Sequence, residues 1–290
     1  MTPYGKKGQF LPEHNAINTA AGKGKVQEKT VGFGQCPASS AGRTMLSDRE
    51  RERYKRQILL FGEEGQEQLK RSHIFIAGAG GLGSPIAIYL AVAGVGEITI
   101  VDMDTVDQSN LNRQILHTDR DIGKKKTVSA ITKLREYNPD ITINAIDTVI
   151  GADNVHELIG RADGIVDAMD NFPIRYLLNR VALEKKVPFF HGGIRGFYGQ
   201  ATTIIPHKTP CLECIFPKAP PKEVFPVVGA TPGVIGTIQA TEVIKYLTQQ
   251  GDLLAGRLLI WDGLAATTEE IRVERNPACP ACGKGSGGEK

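Results

Sequence analysis

The sequence predicts an α/β protein: a mainly parallel sheet covered by helices on both faces and extended by antiparallel strands. Three observations point to it. Short apolar runs alternate with helical patterns through the middle of the chain, a glycine-rich turn joins the first of these runs to a helix, and after His191 the pattern changes to strand-like runs around a single helix. The 290 residues are 41% hydrophobic, enough to bury a sizeable core in one large domain or two small ones.

Residues 1–46 are rich in Gly, Lys, Thr, Ala and Ser without a sustained period of 2 or 3.6, and are expected to form a disordered extension. Order is expected from "SDRERERYKRQILL", where Ser47 and Glu50 have the S-x-x-E spacing with which two side chains satisfy orphan amides of a first helical turn. "HIFIAG" then reads as a buried strand, "SPIAIYLAVAG" as a helix stopped by Gly94, and "EITIVD" as a second strand. Further strands are expected at "ITINAID", "GIVDAMD" and "PFFHGG", separated by helices over residues 124–137, 154–159 and 171–185. "GFYGQATTIIP", "GRLLIWDG" and "TTEEIRVER" read as antiparallel strands around a helix at residues 234–248. They are expected to complete the main sheet, giving one domain over residues 47–283 and a flexible tail at 284–290.

The net charge is +3, but residues 1–46 hold six Lys/Arg against Glu13 and Glu28 and carry +4, leaving −1 for the rest. That balance provides no nucleic-acid footprint. No apolar run reaches the roughly 18 residues of a membrane span, and "MTPYGKKGQF" lacks the apolar centre of an export signal, so a cytoplasmic protein without membrane or nucleic-acid partners is expected.

In "GAGGLG", Gly78, Gly80 and Gly83 fit G-x-G-x-x-G between a strand and a helix, and Asp102 follows about twenty residues later at the end of the next strand. This is a Rossmann-like arrangement: glycines admit a phosphate to the backbone and the helix N-terminus, and the acid bonds a ribose hydroxyl. NAD and ATP both satisfy it. The next segment, "DMDTVDQSNLNRQILHTDRDIGKKK", presents Asn110, Arg113, Gln114 and the lysines at 124–126. A pyrophosphate that is merely bound needs few cations, whereas transfer at an α-phosphate builds negative charge that Arg, Lys and a metal stabilise. Asp170, in "DAMDN" at the end of a strand, is a candidate magnesium ligand; its alternative role is to cap the helix that follows. Lys124 and Lys125 are read as a solvated face, and His191 as a packed or hydrogen-bonded histidine.

Cys211 and Cys214 in "CLEC" and Cys279 and Cys282 in "CPAC" supply four thiolates, the donor set of a closed structural zinc site. The rival reading, a redox pair, needs a helix N-terminus, whereas both pairs stand in proline-bounded loops.

"RYKRQ", "GAGGLGS", "DMDTVDQSNLNRQ", "GKKK", "DAMDN", "GVIGTIQATEVIK" and the two C-x-x-C pairs, in this order from about Leu46 to Gly283, resemble the MoeB/ThiF/HesA family of sulfur-carrier adenylyltransferases, relatives of the ubiquitin-activating enzymes. The resemblance implies a homodimer that uses ATP to activate the C-terminal glycine of a small ubiquitin-like sulfur carrier ending in Gly-Gly. The product is an acyl adenylate for sulfur transfer toward molybdopterin, thiamine or a related compound. It implies that Gly81 meets the nucleotide phosphates and Asp102 the ribose. Ser109, Asn110, Leu111, Asn112 and Arg113 wrap the phosphates, Lys126 is the catalytic lysine, and Asp170 with Asn171 completes the metal and adenylate site. Arg56 is implied to reach into a second copy's active site, and Arg195 and Gln200 are candidates for lining the carrier's channel.

One departure stands out. Family members often carry a cysteine in the loop before the "GVIG" helix, and here "KAPPKEVFPVVGATPGVIG" has none. The expected enzyme therefore stops at the adenylate and relies on an external sulfur donor, with no appended sulfur-transfer domain after Gly283. Cys36, alone near the start, has little support as a nucleophile. Two rival readings remain: an NAD-dependent oxidoreductase sharing the glycine turn, and a module that binds a ubiquitin-like protein without activating it.

Overall fold

A computed structural model describes residues 45–220 and 225–283. The expectations for residues 1–44, for Cys36 and for the tail at 284–290 lie outside the described residues. Order begins slightly earlier than expected, with Leu46 buried.

Helix α1 spans Asp48–Arg71, and the expected reciprocal cap is formed: Ser47 N donates to Glu50 Oε2 (2.7 Å) and Glu50 N to Ser47 Oγ (3.3 Å). Gly62, at φ +73°, breaks α1 into two segments. Strand β1 (His73–Ala77), helix α2 (Gly83–Ala93) and strand β2 (Glu97–Val101) form the expected unit, with Gly94 ending α2 in the left-handed conformation at φ +87°. Then come α3 (Lys126–Tyr137), β3 (Thr142–Ile146), α4 (Val155–Ile159), β4 (Gly164–Asp167) and α5 (Phe172–Lys185).

The remaining elements are β5 (Phe189–Arg195), β6 (Tyr198–Ile204), α6 (Leu212–Ile215), α7 (Ala230–Thr248), β7 (Arg257–Asp262) and β8 (Thr267–Arg272). Helix α7 starts one turn earlier than the sequence pattern suggests, because Pro232 falls in its first turn, where a missing amide costs no hydrogen bond. The short α6 was not expected.

All eight strands form one sheet in the order β3-β2-β1-β4-β5-β6-β7-β8. The first five are parallel, and β6, β7 and β8 add antiparallel. Alternation along each strand divides the core between the two faces. Phe75 and Phe189 pack with α5 and the four cysteines, while Ile74, Ile76 and Phe190 pack beneath α2 and α7. The region after His191 completes the main sheet, as expected.

Candidate functional site

The strand order reverses its direction of growth between β1 and β4, so the loops after these two strands part and leave a crevice at their C-terminal ends. The loops approach too closely for side chains at two positions. A Cβ on Gly78, which has φ +101°, would lie 2.8 Å from the Ala168 carbonyl, and one on Gly83 would lie 2.0 Å from the Gly78 carbonyl. Asp102 braces this turn, accepting from Ala79 N at Oδ2 (2.8 Å) and from Asp104 N at Oδ1 (2.8 Å). The amides of Gly80, Gly81 and Leu82 find no acceptor among the described residues, leaving the donors an anion requires.

The polar loop folds over this turn. Asp107 accepts from Ser109 N (2.8 Å) and Ser109 Oγ (2.6 Å), which holds its carboxyl below the usual range and closes a turn over Gln108–Asn110. Asp107 N in turn donates to Asn110 Oδ1 (3.2 Å). Arg113 donates to Ser109 O (2.8 Å) and Asn112 Oδ1 (3.0 Å). A Cβ built on Gly81 would stand 3.7 Å from Arg113 Cγ and 3.4 Å from Pro232 in α7, and one on Gly229 would meet the Asn112 carbonyl at 2.1 Å. Gly81, Asn112, Arg113 and the start of α7 are thus neighbours. Lys126, 6% exposed at its side chain, opens α3 and pairs with Asp104 at 2.8 Å, with Asp104 54% exposed. The Lys126 amide also donates to Asp104 O (3.0 Å). Asp104, two residues beyond Asp102, was not singled out from the sequence, although strand-end acids in "DMD" were a signal.

Asp170 is exposed and is not the cap of α5. That task falls to Asn171, whose Oδ1 accepts from Ile174 N (3.1 Å) while its Nδ2 donates to Asp170 Oδ1 (3.3 Å). The Asp170 carboxylate is therefore left for other ligands. One carboxylate combined with substrate phosphates is the donor set magnesium ordinarily takes, so the residues present fit that ion.

Beneath this loop lies a buried polar group that the sequence reading missed. Asp167 accepts from His191 Nδ1 (2.6 Å) and Met169 N (3.0 Å). Arg175 Nε stands 3.4 Å from Asp167 Oδ2, and its Nη2 donates to Met169 O (2.6 Å) and Gly192 O (3.1 Å). Burial holds the His191 imidazole below its ordinary pKa despite Asp167. The ring is therefore neutral, with Nδ1–H donating to Asp167 and Nε2 facing Gln200 Nε2 (3.4 Å). His191 is a hydrogen-bonded core histidine, as read. Gln200 is itself buried against it.

Arg56 is exposed on α1 and forms no hydrogen bond or ion pair among the described residues, so the chain by itself does not bring it to the other candidates.

On the α5 side of the sheet the four cysteines are buried, and their sulfurs all lie within 4.8 Å of one another. Cys211 and Cys214 are separated by 3.9 Å, Cys211 and Cys279 by 3.6 Å, and Cys214 and Cys282 by 3.4 Å. Disulfide sulfurs lie about 2.0 Å apart, whereas tetrahedral zinc at about 2.3 Å from each sulfur sets them about 3.8 Å apart. The cluster fits the metal. The hydrogen bond from Cys211 draws the Cys214 thiol down to about 5, while burial pushes Cys282 up to about 11. "CLEC" is not simply a loop, since Cys211 stands at the start of the single-turn α6.

A doubly wound sheet with a glycine turn, a cation-bearing loop at the switch point and a cluster of four sulfurs that could hold a metal define a Rossmann-like α/β protein. More narrowly, the chain belongs to the ThiF family, whose sequence profile matches residues 54–281. It is 45% identical over 242 residues to the SAMP-activating enzyme E1 of Haloferax volcanii, an alignment covering 81% of this chain and 89% of that one. It is 42% identical over 248 residues to the sulfur carrier protein adenylyltransferase of Thermus thermophilus, covering 81% and 91%. The crystal structure of E. coli MccB with ATP shares the fold at TM-score 0.70 and 24% identity, covering 80% of this chain and 75% of that one.

Proposed function

We propose that this protein is an ATP-dependent adenylyltransferase that activates the C-terminal glycine carboxylate of a small ubiquitin-like sulfur carrier, with residues 47–283 as the adenylation unit. The observation that carries the reading is the convergence of Gly81, Asp102, Arg113 and the Lys126–Asp104 pair around the switch-point crevice, in a chain so similar to relatives named for that work.

The carrier carboxylate attacks the α-phosphate, the bond to the pyrophosphate oxygen breaks, and acyl adenylate and pyrophosphate are the products. Asp102 holds the ribose, and the free amides of Gly80 to Leu82 meet the phosphates. Ser109 to Arg113 wrap them, and Arg113 and Lys126 stabilise the charge that develops. Lys126 exchanges its bond to Asp104 for one to the phosphate, an exchange the exposure of Asp104 permits. Asp170, with Asn171 beside it, would hold magnesium, which when bound neutralises phosphate charge. The cysteines Cys211, Cys214, Cys279 and Cys282 hold zinc as a structural clamp.

The functional unit is a homodimer, supported by the exposure of Leu59 (82%) and Leu60 (76%) beside Arg56, which has no partner among the described residues, on one helix. Arg56 of each copy serves the other's site. With no cysteine between residues 217 and 236 to take over the acyl group, the adenylate passes to an external sulfur donor for molybdopterin, thiamine or a related product. In this reading the enzyme works in the cytoplasm; no helix among the described residues is long and apolar enough to cross a membrane.

The test is carrier-dependent exchange of pyrophosphate into ATP. Asp170→Ala would serve to capture the carrier, a small protein ending in Gly-Gly. Exchange that falls at least about a hundredfold in Lys126→Ala agrees with the mechanism. Absence of exchange in the unaltered protein with the carrier it captures would leave a binding module instead. A melting temperature raised by NAD and not by ATP would return the oxidoreductase reading.

A further inference from the structure

The glycine turn is held from outside by a chain of side chains that the proposed mechanism does not use. His117 is buried, with Nε2 3.0 Å from the Ala79 carbonyl and Nδ1 2.9 Å from Ser129 Oγ. Lys133 Nζ lies 2.9 Å from the same Ser129 oxygen and is paired with Asp121, whose carboxylate also accepts from Thr118 N (2.8 Å) and Thr118 Oγ1 (2.9 Å).

The Ala79 carbonyl only accepts, so the hydrogen bond to it is donated by His117 Nε2–H. An ammonium only donates, so Ser129 Oγ accepts from Lys133 and keeps its own hydrogen for His117 Nδ1. Nδ1 is then the acceptor, and the proton of the neutral ring lies on Nε2, donated to the Ala79 carbonyl. Burial, with Lys126 and Lys133 nearby, holds His117 below its ordinary pKa, which agrees with a neutral ring.

Residue Ala79 is thereby held on two successive peptide planes, its carbonyl by His117 and its own amide, on the preceding plane, by Asp102 (2.8 Å). Without the histidine the carbonyl is free to turn, and the peptide plane joining Ala79 to Gly80 turns with it, because carbonyl and following amide share one rigid plane. The Gly80 amide, which has no acceptor among the described residues, is on that plane.

We propose that His117 is a positioning residue for the nucleotide: as the Nε2–H tautomer, with Ser129 against its other nitrogen, it locks the Ala79–Gly80 peptide so that the Gly80 amide faces the phosphates. This rests on the reading of the glycine turn as the nucleotide site. The ligand class is the phosphate chain of ATP, and the residue acts through the turn without touching the ligand.

Two substitutions separate this role from simple packing. A glutamine amide nitrogen reaches roughly where His Nε2 stands and donates to the carbonyl; an asparagine reaches only to the Nδ1 position. Binding of magnesium-ATP by titration calorimetry on the full chain should be within about twofold of the unaltered protein in His117→Gln, and about tenfold weaker in His117→Asn, the factor expected for one lost hydrogen bond of ordinary strength. Equal weakening in both variants, or none in either, overturns the proposal.

Should neither variant fold, nitrogen-15 spectra of the unaltered protein at pH 7 report the His117 tautomer directly. The Nε2–H form is expected, and an Nδ1–H or doubly protonated ring overturns the proposal. Failure of the unaltered protein to bind ATP while the Nε2–H tautomer is seen would instead overturn the nucleotide site, and this positioning role with it.

Discussion

Arg175 offers the sharpest test of how the loop carrying Asp170 is held. Its guanidinium is buried, lies 3.4 Å from an Asp167 carboxylate of zero exposure, and bridges Met169 O and Gly192 O. Arg175→Met keeps much of the volume and removes the charge. Removing one partner of a buried ion pair costs about 3–5 kcal/mol, chiefly because the other charge remains buried. Here Asp167 keeps donors from His191 and Met169, which places the expected loss near the lower end, about 3 kcal/mol. For a domain of this size that corresponds to a melting point lower by about 6–12 °C. Asp167→Asn in the same background removes the stranded charge, so the double variant should be more stable than Arg175→Met alone. Guanidinium unfolding of the four proteins, with zinc present throughout, measures the coupling. A loss below about 1 kcal/mol for Arg175→Met, or strict additivity in the double variant, would refute the reasoning. Exchange of pyrophosphate into ATP should fall in Arg175→Met even under conditions where the variant is folded, since Met169 O loses its 2.6 Å donor.

Two further outcomes are expected. Elemental analysis should find one zinc per chain, lost in Cys279→Ala together with several kcal/mol of stability; a metal-free protein with an unchanged melting point would count against the clamp. Stability should also decline as pH falls below about 6.5, because burial holds His73, His117 and His191 below that ordinary value. Between each lowered value and about 6.5 the unfolded chain binds protons that the folded chain refuses. Asp163, whose carboxyl is raised by burial, acts in the opposite sense in the carboxylate range. Urea midpoints that are the same at pH 7.5 and 5.5 would contradict the sign.

What was legible in the sequence was local. The Ser47–Glu50 cap, the stop at Gly94 and the glycine turn each depend on residues within one or two turns of chain, so their spacing carries the information. The strands could be read because those buried on both faces are almost wholly apolar, and the C-x-x-C pairs because ligand spacing is short. The missed groups are partners distant in sequence: Lys126 with Asp104, His117 with Ala79, and His191 with Asp167 are separated by 22, 38 and 24 residues. Only the parallel packing of β1, β2, β4 and β5 brings their loops to a common edge. Arg175 was hidden for a different reason, since a helical arginine reads as solvated until the buried carboxylate opposite it is known. Asp170 shows the reverse case: two readings were open in the sequence, and the cap geometry of Asn171 removes one of them.

Helix α5 touches both the cysteine cluster and the loop that carries Asp170. Its first turn is capped by Asn171 beside Asp170, and Arg175 holds the loop from below. One to two turns further on, Asn179 Oδ1 accepts from Leu212 N (2.9 Å) and Arg180 makes a two-pronged bond to Glu213 (2.8 and 2.9 Å), both within the CLEC turn. The eight residue steps from Asn171 to Asn179 span about 12 Å of helix. A clamp that fixes the middle of α5 therefore fixes the origin from which Asp170 projects. In the proposed mechanism the cysteines act on the chemistry by holding that helix, and with all four given to a metal no thiol among the described residues is left to take the acyl group.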